Sequence, residues 1–253
     1  MFPLRDDQPL HSVSISTITI IAINVLVFLY QIQLDDYSLN NFIAHWGLTA
    51  TFRGFHLADI ITSMFIHGGW MHIIGNMIFL WCFGRSLEDA MGSGKFLIFY
   101  LLCGIVAAFT QSFLTWGSRA PMIGASGAIA GVMGAYLLKF PRARISTLVV
   151  IIFFITRVDI PAVFILVYWF VIQLFSGFGT IAESHLTQGG TAFFAHIGGF
   201  IAGMVLVNVL GTQTRYYRRR DHTSRRAALQ PDPDRHPGRD RGSHREVDLN
   251  PFG

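Results

Sequence analysis

Residues 121–134 read Pro-Met-Ile-Gly-Ala-Ser-Gly-Ala-Ile-Ala-Gly-Val-Met-Gly, an apolar run whose one polar side chain is Ser126. This serine stands among glycines, with Gly124 before it and Gly127 directly after it. In one interpretation the small residues let two membrane helices pack closely, and the hydroxyl bonds to a carbonyl of its own helix. In the other, the serine is a nucleophile, which requires a base elsewhere in the chain.

The composition is that of an integral membrane protein. Of 253 residues, 52% are hydrophobic and 13% are charged, and the mean hydropathy is +0.47. Soluble domains usually carry about 25% charged residues. Residues 212–253 contain 10 Arg against 6 acidic residues, whereas residues 1–211 contain 9 basic and 9 acidic residues. The net charge of +4 therefore belongs to the tail and does not indicate a nucleic-acid-binding core.

The apolar residues cluster into six runs, and a helix needs about 20 residues to cross a bilayer. We predict spans at residues 16–34, 70–87, 95–116, 126–139, 161–176 and 191–210. Residues 1–15 are short and polar and do not read as a cleaved signal peptide. The tail, residues 212–253, is rich in Arg, Asp and Pro and is predicted to be disordered.

Two connecting segments need their own predictions. Residues 35–70 are too polar for a span but carry many large apolar groups, which favours a position in the membrane interface. Residues 145–157 are apolar and precede Asp159 and Pro161. We predict an interfacial or re-entrant piece there, with a single long kinked helix through the fifth span as the alternative.

The fourth run is shorter than a bilayer is thick. Fourteen residues rise about 21 Å as a helix, against about 30 Å of hydrocarbon. If Lys139 lies at one interface, Ser126 begins roughly 9 Å below the other. Residues 121–125 would then be irregular backbone at depth, which is tolerated only where it is buried in protein or lines a wet cavity.

Basic residues near the span ends predict the orientation, because they concentrate on the cytoplasmic side. They occur after the second span, after the fourth span and in the tail, at Arg85, Lys95, Lys139, Arg142, Arg144, Arg215, Arg218, Arg219 and Arg220. With six spans, all three segments lie on one side. Both termini are therefore predicted to be cytoplasmic, with the Ser126 end of the fourth span facing outward.

Four polar side chains stand out within the spans: His72, Asn76, Ser126 and His196. Ionisable groups at membrane depth are rare and usually line a functional cavity. His72 and Asn76 are four residues apart and so share one helix face. Small residues on the fourth and sixth spans can bring these two helices together, which makes a contact between Ser126 and His196 sterically feasible. They are Gly127, Gly131, Gly134, Gly199 and Gly203.

This combination favours nucleophilic chemistry. A serine hydroxyl needs a base, and a neutral imidazole is the usual one. No acidic residue lies within a span beside His196, so a Ser-His dyad is more economical than a triad. An oxyanion needs hydrogen-bond donors, and the candidates are the Ser126 amide, Asn76 and His72. Each residue alone is also compatible with ordinary interhelical hydrogen bonding.

At these residues the sequence resembles the rhomboid intramembrane serine proteases. The family's spaced histidines and asparagine are matched by His67, His72 and Asn76, and its nucleophile motif by Gly124-Ala125-Ser126-Gly127. The family pattern around the second catalytic residue is matched by Ala195, His196, Gly199 and Gly203. A family stretch after the second span is matched by Glu88, Gly92, Phe96 and Tyr100. The resemblance covers about residues 15–210.

The resemblance implies an all-α integral membrane fold, a bundle of six transmembrane helices with a long interfacial first loop. This rhomboid domain would occupy residues 16–211, between a short cytoplasmic N-terminus (1–15) and the disordered Arg/Pro-rich tail (212–253). It also implies a serine endopeptidase that cuts transmembrane protein substrates near the outer face, with no metal or cofactor and no nucleic-acid partner. The fifth span would act as a lateral gate, and we expect a bacterial plasma membrane as the location.

In that reading Ser126 is the nucleophile, His196 is the general base, and Asn76 and His72 stabilise the oxyanion. Gly124, Gly127, His67, Gly199 and Gly203 are structural motif residues. Two departures from the family pattern concern the surroundings of this site. Family members place an aromatic residue where this chain has Ala130, so His196 must be oriented by another group, such as another aromatic. The family's Trp-Arg pair is matched only loosely, by Phe52-Arg53.

Two other function classes remain open at this point. A non-catalytic binding or chaperone protein could use the same fold, although both the serine and the histidine are present. A metalloprotein or transporter could use His67, His72 and His196, but the spans contain neither an HExxH segment nor a carboxylate beside them. Cys82 and Cys103 both lie in apolar runs, so we expect no structural disulfide and no cysteine-based metal site.

Overall fold

All six predicted runs form helices in the computed structural model. The helices are α1 (Ile15–Gln31), α2 (Asp36–Trp46), α3 (Asp59–Thr62), α4 (Trp70–Phe79), α5 (Arg85–Met91), α6 (Ser93–Leu114), α7 (Ser126–Lys139), α8 (Ala162–Ala182) and α9 (Phe193–Leu210). Helix α7 matches the fourth predicted run at both ends, whereas α8 continues past the fifth run to Ala182. By length and composition, α6 and α9 are apolar enough to cross a membrane, and α1 is a shorter apolar helix.

The structure describes residues 2–51, 54–151, 154–182 and 192–212. They belong to the first of two compact units, Met1–Gln213; the second unit is Thr214–Gly253. The predicted disorder of the tail and the Phe52-Arg53 pair lie outside the described residues, apart from residue 212.

The second predicted run is part of one longer helical stretch. Helix α4 passes through a π-helical segment, Leu80–Gly84, into α5 without a break. The stretch ends at Gly92, whose φ of 83° is a conformation that residues with a Cβ rarely adopt. Gly92 also starts α6, so the second and third runs are joined by a single glycine.

Helices α7 and α9 cross with their backbones in contact. A Cβ placed on Gly199 would overlap the carbonyl oxygen of Gly127, and one on Gly203 would overlap that of Gly131. Glycine is therefore required at both crossing points, as the small-residue pattern predicts. The crossing brings the first turns of α7 and α9 side by side, and these turns carry Ser126 and His196.

A three-stranded antiparallel sheet is the feature that the sequence analysis missed. Strands β1 (Phe2–Asp6), β2 (Arg144–Ile151) and β3 (Phe154–Pro161) pair in the order β1-β2-β3. The alternative of a single long kinked helix through residues 145–157 is therefore wrong, because the described residues of this segment form strands. An interfacial or re-entrant position of the segment stays a prediction. The Ile, Val and Thr residues of this segment favour strands, so the chain is mostly helical rather than all-α.

The sheet joins the N-terminal segment to the connection between α7 and α8. Phe2 pairs with Leu148, and the Asp7 amide donates to the Arg144 carbonyl at 3.0 Å. Near the end of α7, the Tyr136 hydroxyl donates to the Asp6 carboxylate at 2.6 Å. These contacts place the N-terminal strand and the α7–α8 connection at the same end of the helices, as the orientation argument requires.

The segment between α1 and α4 contains two helices and a 3₁₀ turn, Ser63–Phe65. Its first helix, α2, has no buried residue. Farther along, five apolar side chains are buried, namely Leu48, Ala50, Ile60, Met64 and Ile66. Leu48 and Met122 exchange two backbone hydrogen bonds, of 3.0 and 2.8 Å. The segment thus supports the irregular backbone that leads to Ser126.

Glu88 joins the starts of two helices. Its carboxylate accepts hydrogen bonds from the Ser16 and Thr17 amides at the start of α1, both at 2.8 Å. It also accepts one from the Ser93 hydroxyl at the start of α6, at 2.6 Å. A carboxylate at a helix N-terminus is favoured by the unpaired amides and the helix dipole, which explains a fully buried acid at this position.

Candidate active site

Ser126 and His196 are in direct contact. The Oγ atom of Ser126 lies 2.7 Å from the Nε2 atom of His196, a hydrogen-bonding distance. Ser126 is the first residue of α7, and His196 lies in the first turn of α9. The histidine is buried, at 6% exposure, while the serine is half-buried. A hydroxyl in contact with an imidazole can pass its proton to the ring when it attacks an electrophile.

Gly124 shapes the backbone directly before the serine. Its φ is 116°, in the region that favours glycine, and its amide donates to the Ser63 carbonyl at 2.8 Å. A Cβ on this residue would lie 2.7 Å from Nε2 of His72. The irregular approach predicted for residues 121–125 is therefore present, and it passes close to the second helical stretch.

His72 and Asn76 face this approach from α4. Nε2 of His72 and Nδ2 of Asn76 lie 2.7 and 3.7 Å from the point where a Cβ of Gly124 would stand. Both side chains also line the cavity that contains Ser126. The predicted donors are thus brought next to the segment that ends at the serine, where they can donate to a negatively charged oxygen.

His67 is hydrogen-bonded to the side-chain amide of Asn76. Nδ2 of Asn76 lies 2.9 Å from Nε2 of His67, whose side chain is buried at 2% exposure. Burial and, secondarily, the neighbouring His72 ring lower the pKa of His67 to about 4. A neutral ring leaves one nitrogen free to accept a hydrogen bond from the amide. This hydrogen bond keeps the amide nitrogen of Asn76, rather than its oxygen, on the side that faces His67.

Gln31 fixes the backbone of His67 and was not identified from the sequence. Its Oε1 accepts from the His67 amide and its Nε2 donates to the His67 carbonyl, both at 3.0 Å. Gln31 is the last residue of α1, so the end of the first helix is joined to the His67 loop. A lone glutamine at the end of an apolar run has no distinguishing pattern, and no sequence signal could have found this contact.

Trp169 supplies the aromatic neighbour that the sequence left unnamed. Ala130 is fully buried and has only a methyl group. The indole of Trp169, on α8, lies instead beside the His196 ring, with centroids 5.5 Å apart and planes at 45°. Five aromatic residues near the fifth run could have filled this role, and only the packing of α8 on α9 selects one: Phe164, Tyr168, Trp169, Phe170 and Phe175.

A cavity of about 510 Å³ contains the reactive contact. Its volume is in the range of small-ligand sites. The polar side chains at Ser126, His196, His72 and Asn76 are gathered at one place, and the remaining lining is mainly apolar. The apolar lining residues include Met71, Phe79, Met122, Ile123, Ile129, Met133 and Trp169. The cavity can therefore accept an apolar side chain beside a hydroxyl that has a base.

Two sequence expectations concern other chemistry. Cys82 and Cys103 are buried free thiols. In the part of the chain that the structure describes, no three His, Cys, Asp or Glu side chains are grouped as they would be around a metal ion. His196 instead contacts Ser126, and His67 contacts the side-chain amide of Asn76.

Comparison with known proteins identifies a matching protein family. The model of the rhomboid domain matches residues 54–213, more than half of the chain. Rhomboid protease GluP from Bacillus subtilis is 32% identical over 158 residues, 60% of this chain and 26% of that protein. The human presenilin-associated rhomboid-like protein, mitochondrial, is 31% identical over 130 residues, 50% of this chain and 33% of its own length.

Rhomboid protein 1, mitochondrial, from Saccharomyces cerevisiae is 31% identical over 151 residues, 58% of this chain and 40% of that protein. The match therefore spans from about a quarter to two fifths of these relatives.

Proposed function

The chain belongs to the rhomboid family, and on this basis we propose that it is an intramembrane serine endopeptidase. It cleaves transmembrane segments of membrane proteins with a dyad of Ser126 and His196. The observation that carries the proposal is the 2.7 Å contact between Ser126 Oγ and His196 Nε2 in a cavity within the helices. The similarity to a relative named as a protease, GluP, supports the reaction class.

The proposed reaction is acyl transfer to the serine. As Ser126 Oγ attacks the scissile carbonyl carbon, its proton moves to Nε2 of His196. The imidazolium then gives this proton to the leaving amine, and the acyl group remains on the serine as an ester. The same imidazole next takes a proton from the water that attacks the ester carbonyl carbon, and it returns this proton to Ser126 Oγ as the second product is released.

The oxyanion is stabilised from two directions. The Ser126 amide is at the N-terminus of α7, where the amides of the first turn are unpaired and the helix dipole favours negative charge. His72 and Asn76 donate from α4, and His67 keeps the Asn76 amide in place. The proximity of these two side chains to Gly124 supports this role. Loss of one such donor typically costs on the order of 100- to 1000-fold in rate.

We further propose six transmembrane spans, formed by α1, by α4 with its continuation through α5, and by α6, α7, α8 and α9. Both termini are cytoplasmic, the Ser126 end of α7 faces outward, and residues 35–70 lie partly in the membrane. Basic residues near the span ends support this orientation, as does the pairing of β1 with β2 at one end of the helices. The family's location in membranes supports a bilayer and membrane-protein substrates, here in a bacterial plasma membrane.

The experiment is cleavage of a model transmembrane substrate by the purified full-length chain in lipid vesicles, together with covalent labelling by a fluorophosphonate. The wild type should cleave and be labelled. Ser126→Ala and His196→Ala should do neither, because one lacks the nucleophile and the other its base. Ser112→Ala, a buried serine on α6 outside the cavity, is the matched control and should retain both.

Two results would contradict the proposal. Equal cleavage by wild type and Ser126→Ala would assign the activity elsewhere. Binding of membrane proteins by a wild-type chain that is not labelled at Ser126 would instead favour a non-catalytic binding protein of the same family.

A further inference from the structure

The side-chain torsions of a histidine do not by themselves fix the direction in which its ring points. The terminal torsion of histidine is broad, with two shallow preferences, so the direction of Nε2 depends on what packs against the ring. Ala130 on α7, where the family resemblance places an aromatic residue, carries only a fully buried methyl group. An aromatic ring from another helix lies beside the His196 ring and can act as its packing partner.

The indole of Trp169 is such a partner. It lies 5.5 Å from the His196 ring between centroids. It is itself supported by Phe200, one turn farther along α9, at 6.3 Å and with the planes nearly parallel at 27°. The next residue of α8, Phe170, stacks on the same phenyl ring at 4.5 Å. The histidine ring therefore contacts an aromatic cluster that joins α8 to α9.

We propose that Trp169 is a positioning residue, which keeps the His196 ring turned so that Nε2 faces Ser126 Oγ. This inference rests on the proposed function, because it concerns the base of that dyad. Trp169 does not touch the reacting atoms through a polar group. It acts through the imidazole, by occupying the space into which the ring would otherwise rotate.

The location of Trp169 on α8 adds a consequence. The same indole lines the cavity, so it is at once part of the cavity wall and a support of the base.

The test compares Trp169→Leu, Trp169→Phe and Tyr168→Leu in the purified full-length chain. Tyr168 is the matched control, because it is an exposed aromatic on the same helix and does not line the cavity. The readout is the rate of Ser126 labelling by a small fluorophosphonate, which reports activation of the nucleophile without a transmembrane substrate. Melting temperature in detergent is measured in parallel.

We expect labelling of Trp169→Leu to be about ten- to a hundredfold slower than wild type, since small misplacements of catalytic groups have effects of this size. Trp169→Phe should regain most of the rate, because a ring again packs on the imidazole. Tyr168→Leu should be labelled like wild type. With a cleavable substrate, Trp169→Leu should lower kcat and kcat/KM together and leave KM nearly unchanged, as for an interaction needed only in the transition state.

Labelling of Trp169→Leu at the wild-type rate would overturn the inference and leave the proposed function intact. A slow rate that Trp169→Phe does not restore, although both variants melt like wild type, would also overturn it. If Trp169→Leu does not fold, the Trp169→Phe variant alone tests the inference. Labelling of Ser126 at the wild-type rate supports the role of an aromatic ring beside His196, and a rate as low as that of His196→Ala contradicts it. Absence of labelling in the wild type would instead overturn the proposed function itself.

Discussion

At the scale of single residues, the site depends on what stands directly around one hydroxyl. Gly124, two residues before Ser126, has a backbone that only glycine adopts easily, and Ser126 meets the imidazole of His196, 70 residues away in sequence. His72 and Asn76, which lie beside Gly124, come from a third helix. Because these groups come from three helices and a connecting segment, the addition of one methyl group should have a large effect.

Gly124→Ala should abolish labelling of Ser126 by a fluorophosphonate. The added Cβ would face Nε2 of His72 at 2.7 Å, and the φ of 116° is strained for alanine. Backbone and donor must therefore separate. Gly94→Ala, on α6, is the control, because nothing lies within 4 Å of its added Cβ. Normal labelling of Gly124→Ala would show that the observed backbone is not needed for activation of the serine.

His67 should make the stability of the domain depend on pH. Its pKa in the folded chain is about 4, below the usual 6.5, so the unfolded state binds the proton first as the pH falls. The stabilisation is complete above pH 6.5 and is lost between pH 6.5 and 4, by up to about 1.4 kcal/mol for each pH unit. The measurement is the melting temperature in detergent at several pH values across this range. The melting temperature should change less with pH in His67→Gln than in wild type. His45→Gln, an exposed histidine on α2, should leave the slope unchanged, and an equal slope in all three proteins would contradict the prediction.

At this scale the sequence revealed the residues with polar motifs and missed those whose contacts depend on how the helices pack. Ser126 and His196 were predicted because a serine and a histidine in apolar runs are conspicuous. Gln31 and Trp169 were missed, since a glutamine at a helix end and one aromatic among several carry no local signal. Their contacts depend on how α1 and α8 pack, which the residue pattern does not contain.

At the scale of elements, the crossing of α7 and α9 determines whether the dyad exists. The glycines on both helices allow carbonyl oxygens to touch the opposite backbone. Helices that pack through larger side chains usually keep their axes roughly 8–10 Å apart. The glycine stripes were readable in the sequence, and they correctly predicted which two helices come together.

Gly203→Ala should destabilise the chain and disconnect the dyad. Its Cβ would overlap the Gly131 carbonyl oxygen, so α9 must shift away from α7, and overpacking of this kind costs about 1–3 kcal/mol. A lower melting temperature and slower labelling of Ser126 should occur together, with Gly94→Ala unaffected in both. A variant with unchanged melting and labelling would mean that the two helices are not in backbone contact in the membrane.

The sheet is the element that the sequence analysis did not foresee, for a physical reason. Residues 145–157 are apolar enough to be assigned to the membrane interface, and periodicity alone does not separate a short buried helix from a strand. The β-branched residues of β2 were the available signal. The partner strand β1 is only Phe2–Asp6 and follows no pattern of its own, so its pairing could not be predicted locally.

At the scale of the whole molecule, the proposed orientation of the chain in the membrane is supported by charge and by the sheet. Basic residues predict which side each connection occupies, and the pairing of β1 with β2 independently requires the N-terminal segment and the α7–α8 connection to share one end. The site lies toward the other end, where α7 and α9 begin.

Introduced cysteines should report this orientation. Arg119→Cys, in the exposed connection before α7, should react with a membrane-impermeant maleimide added to intact cells. Arg142→Cys, exposed between α7 and β2, should react only after the cells are opened. Cys82 and Cys103 are buried and should contribute little background. The reverse pattern of reactivity would invert the proposed topology and place Ser126 toward the cytoplasm.

The sheet also sets the order in which the chain can mature during translation. Its first strand, β1, is made before all of the helices described above, yet the strand that receives it, β2, follows α7 by only a few residues. The β1 segment must therefore wait, unpaired, while the helix bearing Ser126 is synthesised. This β-pairing consequently requires that the Ser126 helix has already been made, whereas it does not require the His196 helix, which is synthesised later.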